Sequence, residues 1–124
     1  SSNWENEKIR IPTCLFYENI LIDIIAGKKV LIHCDAGRDR SGAISALLIA
    51  MASEKSGLLD ERMINAIECD YRKTESLIKD KYGRMSNFIR NLINGGGVNE
   101  FLTQKCNLPT NIISKASERI LSSF

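Results

Sequence analysis

Apolar residues recur at helical spacing along most of the 124-residue chain. In residues 13–26 they stand three or four positions apart, and Gly27 follows as a typical helix end. Residues 41–55 are apolar on nearly every side, which indicates a buried helix. Asp60 is placed to cap another helix, and the remaining periodicity predicts three more, at residues 85–93, 98–106 and 110–121.

Two short segments have the pattern of β-strands. Residues 28–33 contain a continuous apolar run typical of a buried parallel strand, and residues 9–11 alternate between apolar and polar positions. Two strands are too few for a stable sheet. We therefore predict an α/β fold with a mainly parallel sheet flanked by helices. Residues 1–124 would form a single domain, mostly its helical C-terminal part, without its N-terminal strands. Those strands would lie upstream of Ser1 or come from another chain or fragment.

Composition and charge narrow the class of protein. The net charge of +2 and the scattered basic residues argue against a nucleic-acid partner or an anionic membrane surface. No segment reaches the roughly 18 continuous apolar residues that a transmembrane helix requires. His33 is the only histidine, which excludes most zinc-hydrolase mechanisms and argues against a Ser-His-Asp hydrolase.

The four cysteines show neither close pairing nor metal-ligand spacing. Each lies in or beside an apolar segment, so we predict reduced thiols at Cys14, Cys34, Cys69 and Cys106. This interpretation implies a reducing compartment, either the cytoplasm or, for a secreted bacterial effector, the cytosol of a host. A reversible disulfide between an oxidised Cys34 and Cys14 or Cys69 is the less favoured alternative.

A charged segment, HCDAGRDRSG, joins the predicted strand of residues 28–33 to the apolar helix. A loop in this position directs its own amides and the positive end of the helix dipole into one space, which favours an anion. Arg40 adds a planar guanidinium that matches two phosphoryl oxygens. Cys34, at the end of the strand, would be ionised in these surroundings. The pattern therefore indicates phosphate binding beside a nucleophilic thiolate.

The same ten residues resemble the HCxxGxxR[ST]G loop of the cysteine-dependent protein tyrosine phosphatase superfamily. They are most similar to the HCxAGKDRTG loop of the bacterial atypical tyrosine and lipid phosphatases, and the segments IECDYRKTESLI and GGGVNEFLTQKCNLPTNIISKASERIL resemble later helices of that group. The resemblance implies hydrolysis of a phosphate monoester through a phosphocysteine, without metal or cofactor. It also implies a phosphorylated partner, first a phosphotyrosine protein, with dual specificity or a phosphoinositide substrate as further options.

The resemblance also implies a role for each residue of the loop. Cys34 would be the nucleophile, Arg40 would bind the phosphoryl group, and Ser41 would hydrogen-bond the departing thiolate. Asp39 would be the general acid. Most other tyrosine phosphatases take this acid from an upstream loop that often contains Trp-Pro-Asp. The matching region of this chain, about Trp4 to Glu7, lacks that sequence, so Asp39 is favoured and Glu5 is the second choice.

The remaining motif residues would surround the phosphate or support the loop. The phosphate-binding positions are Asp35, Ala36, Gly37, Arg38 and Arg40, and the supporting positions are His33 and Gly42. Arg38 departs from the lysine that is usual in the atypical group, and a rigid guanidinium is not equivalent to a mobile ammonium. A second base at the mouth of the site suits a substrate with additional phosphate or acidic groups.

Two other functions remain open at this point. One is a catalytically inactive pseudophosphatase that captures a phosphate without hydrolysing it. The other is a rhodanese-like or arsenate-reductase-like domain that uses the same kind of thiolate loop for sulfur or arsenic chemistry. The pairs Ser41-Gly42 and Asp39-Arg40 favour the phosphatase over the second alternative.

Overall fold

The computed structural model describes residues 5–28, 38–74 and 83–123, with only the backbone at residues 38–41, 73 and 74. Within these ranges the structure contains six α-helices and no β-strand. The helices are α1 (Glu7–Ile25), α2 (Arg38–Lys55), α3 (Glu61–Thr74), α4 (Arg84–Asn94), α5 (Val98–Cys106) and α6 (Thr110–Ser122).

The predicted α/β fold is wrong, because the described residues form α-helices joined by turns and loops, with no β-strand among them. Residues 9–11 belong to α1 and form no strand. Three alternating positions fit a helix equally well, and the Asn6 side chain starts that helix by accepting a hydrogen bond from the Lys8 amide at 3.0 Å. Residues 29–33, which hold most of the other predicted strand, lie outside the described ranges.

Helix α2 lies at the centre of the packing and contacts α3, α4, α5 and α6. Because its sequence is apolar on nearly every side, each face can bury side chains against a neighbour. Its buried apolar residues are Ile44, Ala46, Leu47, Leu48, Ala50, Met51 and Ala52. The prediction of a buried helix is confirmed, although α2 begins at Arg38, three residues earlier than the apolar run indicates.

The other predicted helices are confirmed with small changes at their ends. Helix α1 extends six residues further toward the N-terminus than predicted, and Gly27 follows it with a φ of 77°. At this end the Gly27 amide bonds the Ile24 carbonyl and the Lys28 amide bonds the Asp23 carbonyl, each at 3.0 Å. This is the Schellman pattern, in which the left-handed residue is usually glycine.

Helix α3 is capped as the sequence predicts. The Asp60 carboxylate accepts a hydrogen bond from the Met63 amide at 2.9 Å, which satisfies one of the free donors of the first turn. The inner face of α3 carries Ile64 and Ile67, both 3% exposed. Within the described ranges, no helix has the length and apolar character needed to cross a membrane.

The prediction that all cysteines are reduced is wrong for one pair. Cys14 of α1 forms a disulfide with Cys106, the last residue of α5, and their Cα atoms are 5.2 Å apart. The two cysteines are 92 positions apart in the sequence, and only the packing of α1 against α5 brings them together. Cys69 is a free, exposed thiol, and Cys34 lies outside the described ranges.

Candidate active site

The start of α2 divides the HCDAGRDRSG segment into two halves. His33, Cys34, Asp35, Ala36 and Gly37 lie outside the described ranges. The other five residues, Arg38–Gly42, belong to α2. The structure therefore brings Arg38, Asp39, Arg40 and Ser41 into the first turn of one helix.

The first turn of α2 has the electrostatic character that an anion requires. The first N–H groups of any helix have no intrahelical carbonyl partner, and they carry part of the positive end of the helix dipole. Backbone donors of residues 38–41 thus stand directly after the segment that contains Cys34.

The residues that follow this turn anchor α2 in the core. Gly42 is buried, and Ile44 is 5% exposed. One turn before the C-terminus, the Met51 sulfur accepts a hydrogen bond from the Tyr17 hydroxyl of α1 at 3.4 Å. Burial raises the pKa of Tyr17 well above its usual value, so this phenol stays neutral and serves packing.

The far end of α2 is bound to the start of α5 through Glu54. Its two carboxylate oxygens accept hydrogen bonds from the backbone amides of Val98 at 2.7 Å and Asn99 at 2.8 Å. The Asn99 side chain donates to Glu54 at 2.7 Å and to the Met51 carbonyl at 3.2 Å. Glu54 therefore caps a helix that begins after Gly97, a residue with no side chain of its own to offer.

A second carboxylate caps α4, with one of its two oxygens. That helix follows Gly83, and the amide of Ser86 in its first turn donates to Glu68 of α3 at 2.8 Å. Glu68 is 3% exposed, so the hydrogen bond offsets part of the cost of burying this polar side chain. Sequence patterns did not identify either capping glutamate. The only available signal is a glycine at each helix start where a polar capping side chain is expected.

Glu5, the second choice for the general acid, lies beside α5. Its carboxylate is 3.5 Å from the ammonium of Lys105; the Glu5 side chain is largely exposed, and the Lys105 side chain is partly buried. Lys105 directly precedes Cys106, so this ion pair and the Cys14–Cys106 disulfide lie at the same end of α5. Among the described residues, no group of three or more histidines, cysteines and carboxylates has a geometry that could hold a metal ion.

The tyrosine phosphatase family model matches residues 16–122. The match runs from α1 to the end of α6 and contains all ten residues of the HCDAGRDRSG segment. The protein therefore belongs to the tyrosine phosphatase family, which supports the resemblance at the level of the cysteine-dependent superfamily. Comparison with curated proteins and with solved structures found no match.

Proposed function

We propose that this protein hydrolyses phosphate monoesters through a covalent phosphocysteine at Cys34. The observation that carries the proposal is the family match over residues 16–122, because it includes an intact cysteine, arginine and serine at the motif positions. The start of α2 inside the motif supports it, since a helix N-terminus after the loop supplies backbone donors for a phosphate.

In the first step, the Cys34 thiolate attacks phosphorus, an S–P bond forms, and the ester P–O bond breaks. Arg40 binds two phosphoryl oxygens through its guanidinium, and the backbone amides at the start of α2 bind the remaining charge. Asp39 donates a proton to the departing ester oxygen, so the leaving group departs as a neutral alcohol or phenol. Asp35, Ala36, Gly37 and Arg38 complete the walls around the phosphate.

In the second step, water attacks phosphorus and the S–P bond breaks. The Asp39 carboxylate takes the proton from the water, and inorganic phosphate is released. Ser41 donates a hydrogen bond to the departing Cys34 thiolate, which makes the sulfur a better leaving group. His33 and Gly42 maintain the shape of the loop on its two sides.

The first candidate substrate is a phosphotyrosine protein, with phosphoinositides next. Arg38 bears on this choice because a second guanidinium beside Arg40 favours a substrate with an extra phosphate or acidic group. We expect Arg38→Ala to raise the KM for such a substrate more than the KM for p-nitrophenyl phosphate. An equal change in KM for both substrates would show that Arg38 does not contribute to substrate selection.

The test of the proposed function is hydrolysis of p-nitrophenyl phosphate in the presence of EDTA. We expect turnover in the wild-type protein, no turnover in Cys34→Ser, and wild-type turnover in Cys69→Ser, the matched control at the exposed free cysteine. Phosphate binding without turnover in the wild-type protein would establish a pseudophosphatase instead. Turnover that survives Cys34→Ser would refute the cysteine mechanism.

A separate experiment tests which carboxylate is the general acid. Asp39→Asn should lower kcat much more for phosphotyrosine, a poor leaving group, than for p-nitrophenyl phosphate. The matched control is Glu5→Gln, which removes the other candidate carboxylate and its ion pair with Lys105. If Glu5→Gln shows the leaving-group dependence and Asp39→Asn does not, the acid is Glu5.

A further inference from the structure

Helix α5 connects the two helices that precede and follow the catalytic segment. Helix α1 ends at Ile25, α2 begins at Arg38, and residues 29–37 lie between them in the sequence. Both helices pack against α5 and α6, and these contacts are more extensive than the direct contacts between α1 and α2. The position of α1 relative to α2 therefore depends largely on what holds each helix to α5 and α6.

The two ends of α5 are fastened in different ways. At its N-terminus, α5 is bound to α2 by the Glu54 carboxylate, which accepts from two backbone amides and one side-chain amide. At its C-terminus, α5 is bound to α1 by the Cys14–Cys106 disulfide. The same end also has the Glu5–Lys105 ion pair at the surface, and surface pairs contribute little.

We propose that the Cys14–Cys106 disulfide is a redox-sensitive brace for the phosphatase site. The bond fixes α1 to α5, and α5 carries this restraint to α2 through Glu54. Reduction of the disulfide removes the covalent link between α1 and α5 but leaves the packing of α1 against α6. The weaker restraint loosens the spacing of α1 and α2 and lowers activity. The effect on activity rests on the proposed function, whereas the brace itself does not.

The chemical step is thiol–disulfide exchange with a dithiol reductant. One thiolate of the reductant attacks Cys14 or Cys106, and a mixed disulfide forms with release of the other protein thiolate. The second thiol of the reductant then displaces the remaining protein sulfur. Two electrons and two protons pass to the protein, which gains two thiols, and the reductant becomes a disulfide. Cys106 is only partly buried, which leaves it the more accessible point of attack.

The test compares the wild-type protein, Cys69→Ser, and the double variant Cys14→Ser/Cys106→Ser. Reductant is removed from each sample under anaerobic conditions. Before reduction, a thiol reagent should detect two free thiols among the four cysteines of the unfolded wild-type chain. Addition of a dithiol should lower its Tm by about 10 °C. It should also lower kcat/KM by at least about tenfold at a temperature where every form is folded. Cys69→Ser should respond in the same way, and the double variant should match the reduced protein without responding to the dithiol.

Hydrogen exchange separates the failure of this inference from the failure of the proposed function. If the wild-type protein has no phosphatase activity, the proposed function is wrong. The brace is then supported if reduction accelerates amide exchange in α1 and at the start of α2, and refuted if it does not. With an active enzyme, a kcat/KM that is unchanged by the dithiol overturns the inference. Four titratable thiols before reduction would overturn it directly.

Discussion

Helices α1 and α2 are nearly equal in length, with 19 and 18 residues, and both are rich in apolar side chains, yet they are held in different ways. Helix α2 contacts α3, α4, α5 and α6 and buries most of its apolar residues. Helix α1 buries one face, and on the other it exposes a set of large apolar residues, namely Ile11, Leu15, Phe16 and Ile22. It also carries the disulfide to α5.

This difference shows that an apolar helix is not stabilised by its sequence alone. A side chain contributes its hydrophobic free energy only when a neighbour removes it from water. For α2, that contribution is spread over the whole length of the helix. In α1, the four exposed apolar residues are each 43–56% exposed, so each gains only part of that free energy. The disulfide adds a covalent restraint to the packing of α1.

The largest effect expected from this comparison comes from truncation in α2. Met51 is fully buried, and Met51→Ala should lower the free energy of unfolding by about 2–5 kcal/mol through lost burial and an unfilled cavity. The matched variant in α1 is Leu15→Ala, at a residue that is 56% exposed, and it should change stability by less than about 0.5 kcal/mol. Urea denaturation measures both.

Equal losses in these two variants would show that the outer face of α1 is covered in solution. That result would remove the contrast between the helices.

A smaller effect is expected where α2 meets α5. Glu54→Ala leaves the amides of Val98 and Asn99 without their acceptor, and should cost about 1–3 kcal/mol. Glu54→Gln keeps one oxygen acceptor and should cost less. The control is Glu118→Ala on the exposed face of α6, which should be close to neutral. If Glu54→Ala is as mild as the control, Glu54 does not fasten α5 to α2.

The smallest effect is expected on the surface between α3 and α4. Arg90 hydrogen-bonds Glu61, with its Nε 3.2 Å from each carboxylate oxygen and one Nη at 2.8 Å, and this bonding lowers the pKa of Glu61. A carboxyl pKa that is lower in the folded than in the unfolded state adds stability above the usual carboxyl range. That stability disappears as the pH falls through the folded value.

The measurement is the free energy of unfolding of wild-type protein and Glu61→Gln over a range of pH. The wild-type protein should be slightly more stable at neutral pH, and the difference should shrink in acid. A difference that is independent of pH would contradict the assignment of the ion pair.

Local patterns were sufficient to predict several features of the fold. The apolar run predicted the burial of α2, Gly27 predicted the end of α1, and Asp60 predicted the start of α3. Each prediction depends on residues that are close together in the sequence. The strand expected at residues 9–11 was wrong because three alternating positions do not distinguish a strand from a helix that Asn6 caps.

Features that join distant segments were not predictable from one sequence. The Cys14–Cys106 disulfide and the Glu54 cap both depend on how α5 packs against other helices. Neither spacing nor residue type specifies that packing. At the candidate site, the roles that the motif indicates for Cys34 and Arg40 stay predictions. The structure adds that α2 begins at Arg38, which puts Asp39 and Arg40 in its first turn.

The most direct test of the central claim is to trap the covalent intermediate. Wild-type protein mixed with p-nitrophenyl phosphate and quenched rapidly in acid should carry phosphate on the peptide that contains Cys34, as measured by mass spectrometry. Cys34→Ser should carry none, and Cys69→Ser should match the wild-type protein. If the wild-type protein turns over substrate while its Cys34 peptide remains unmodified at every quench time, the phosphocysteine mechanism is contradicted.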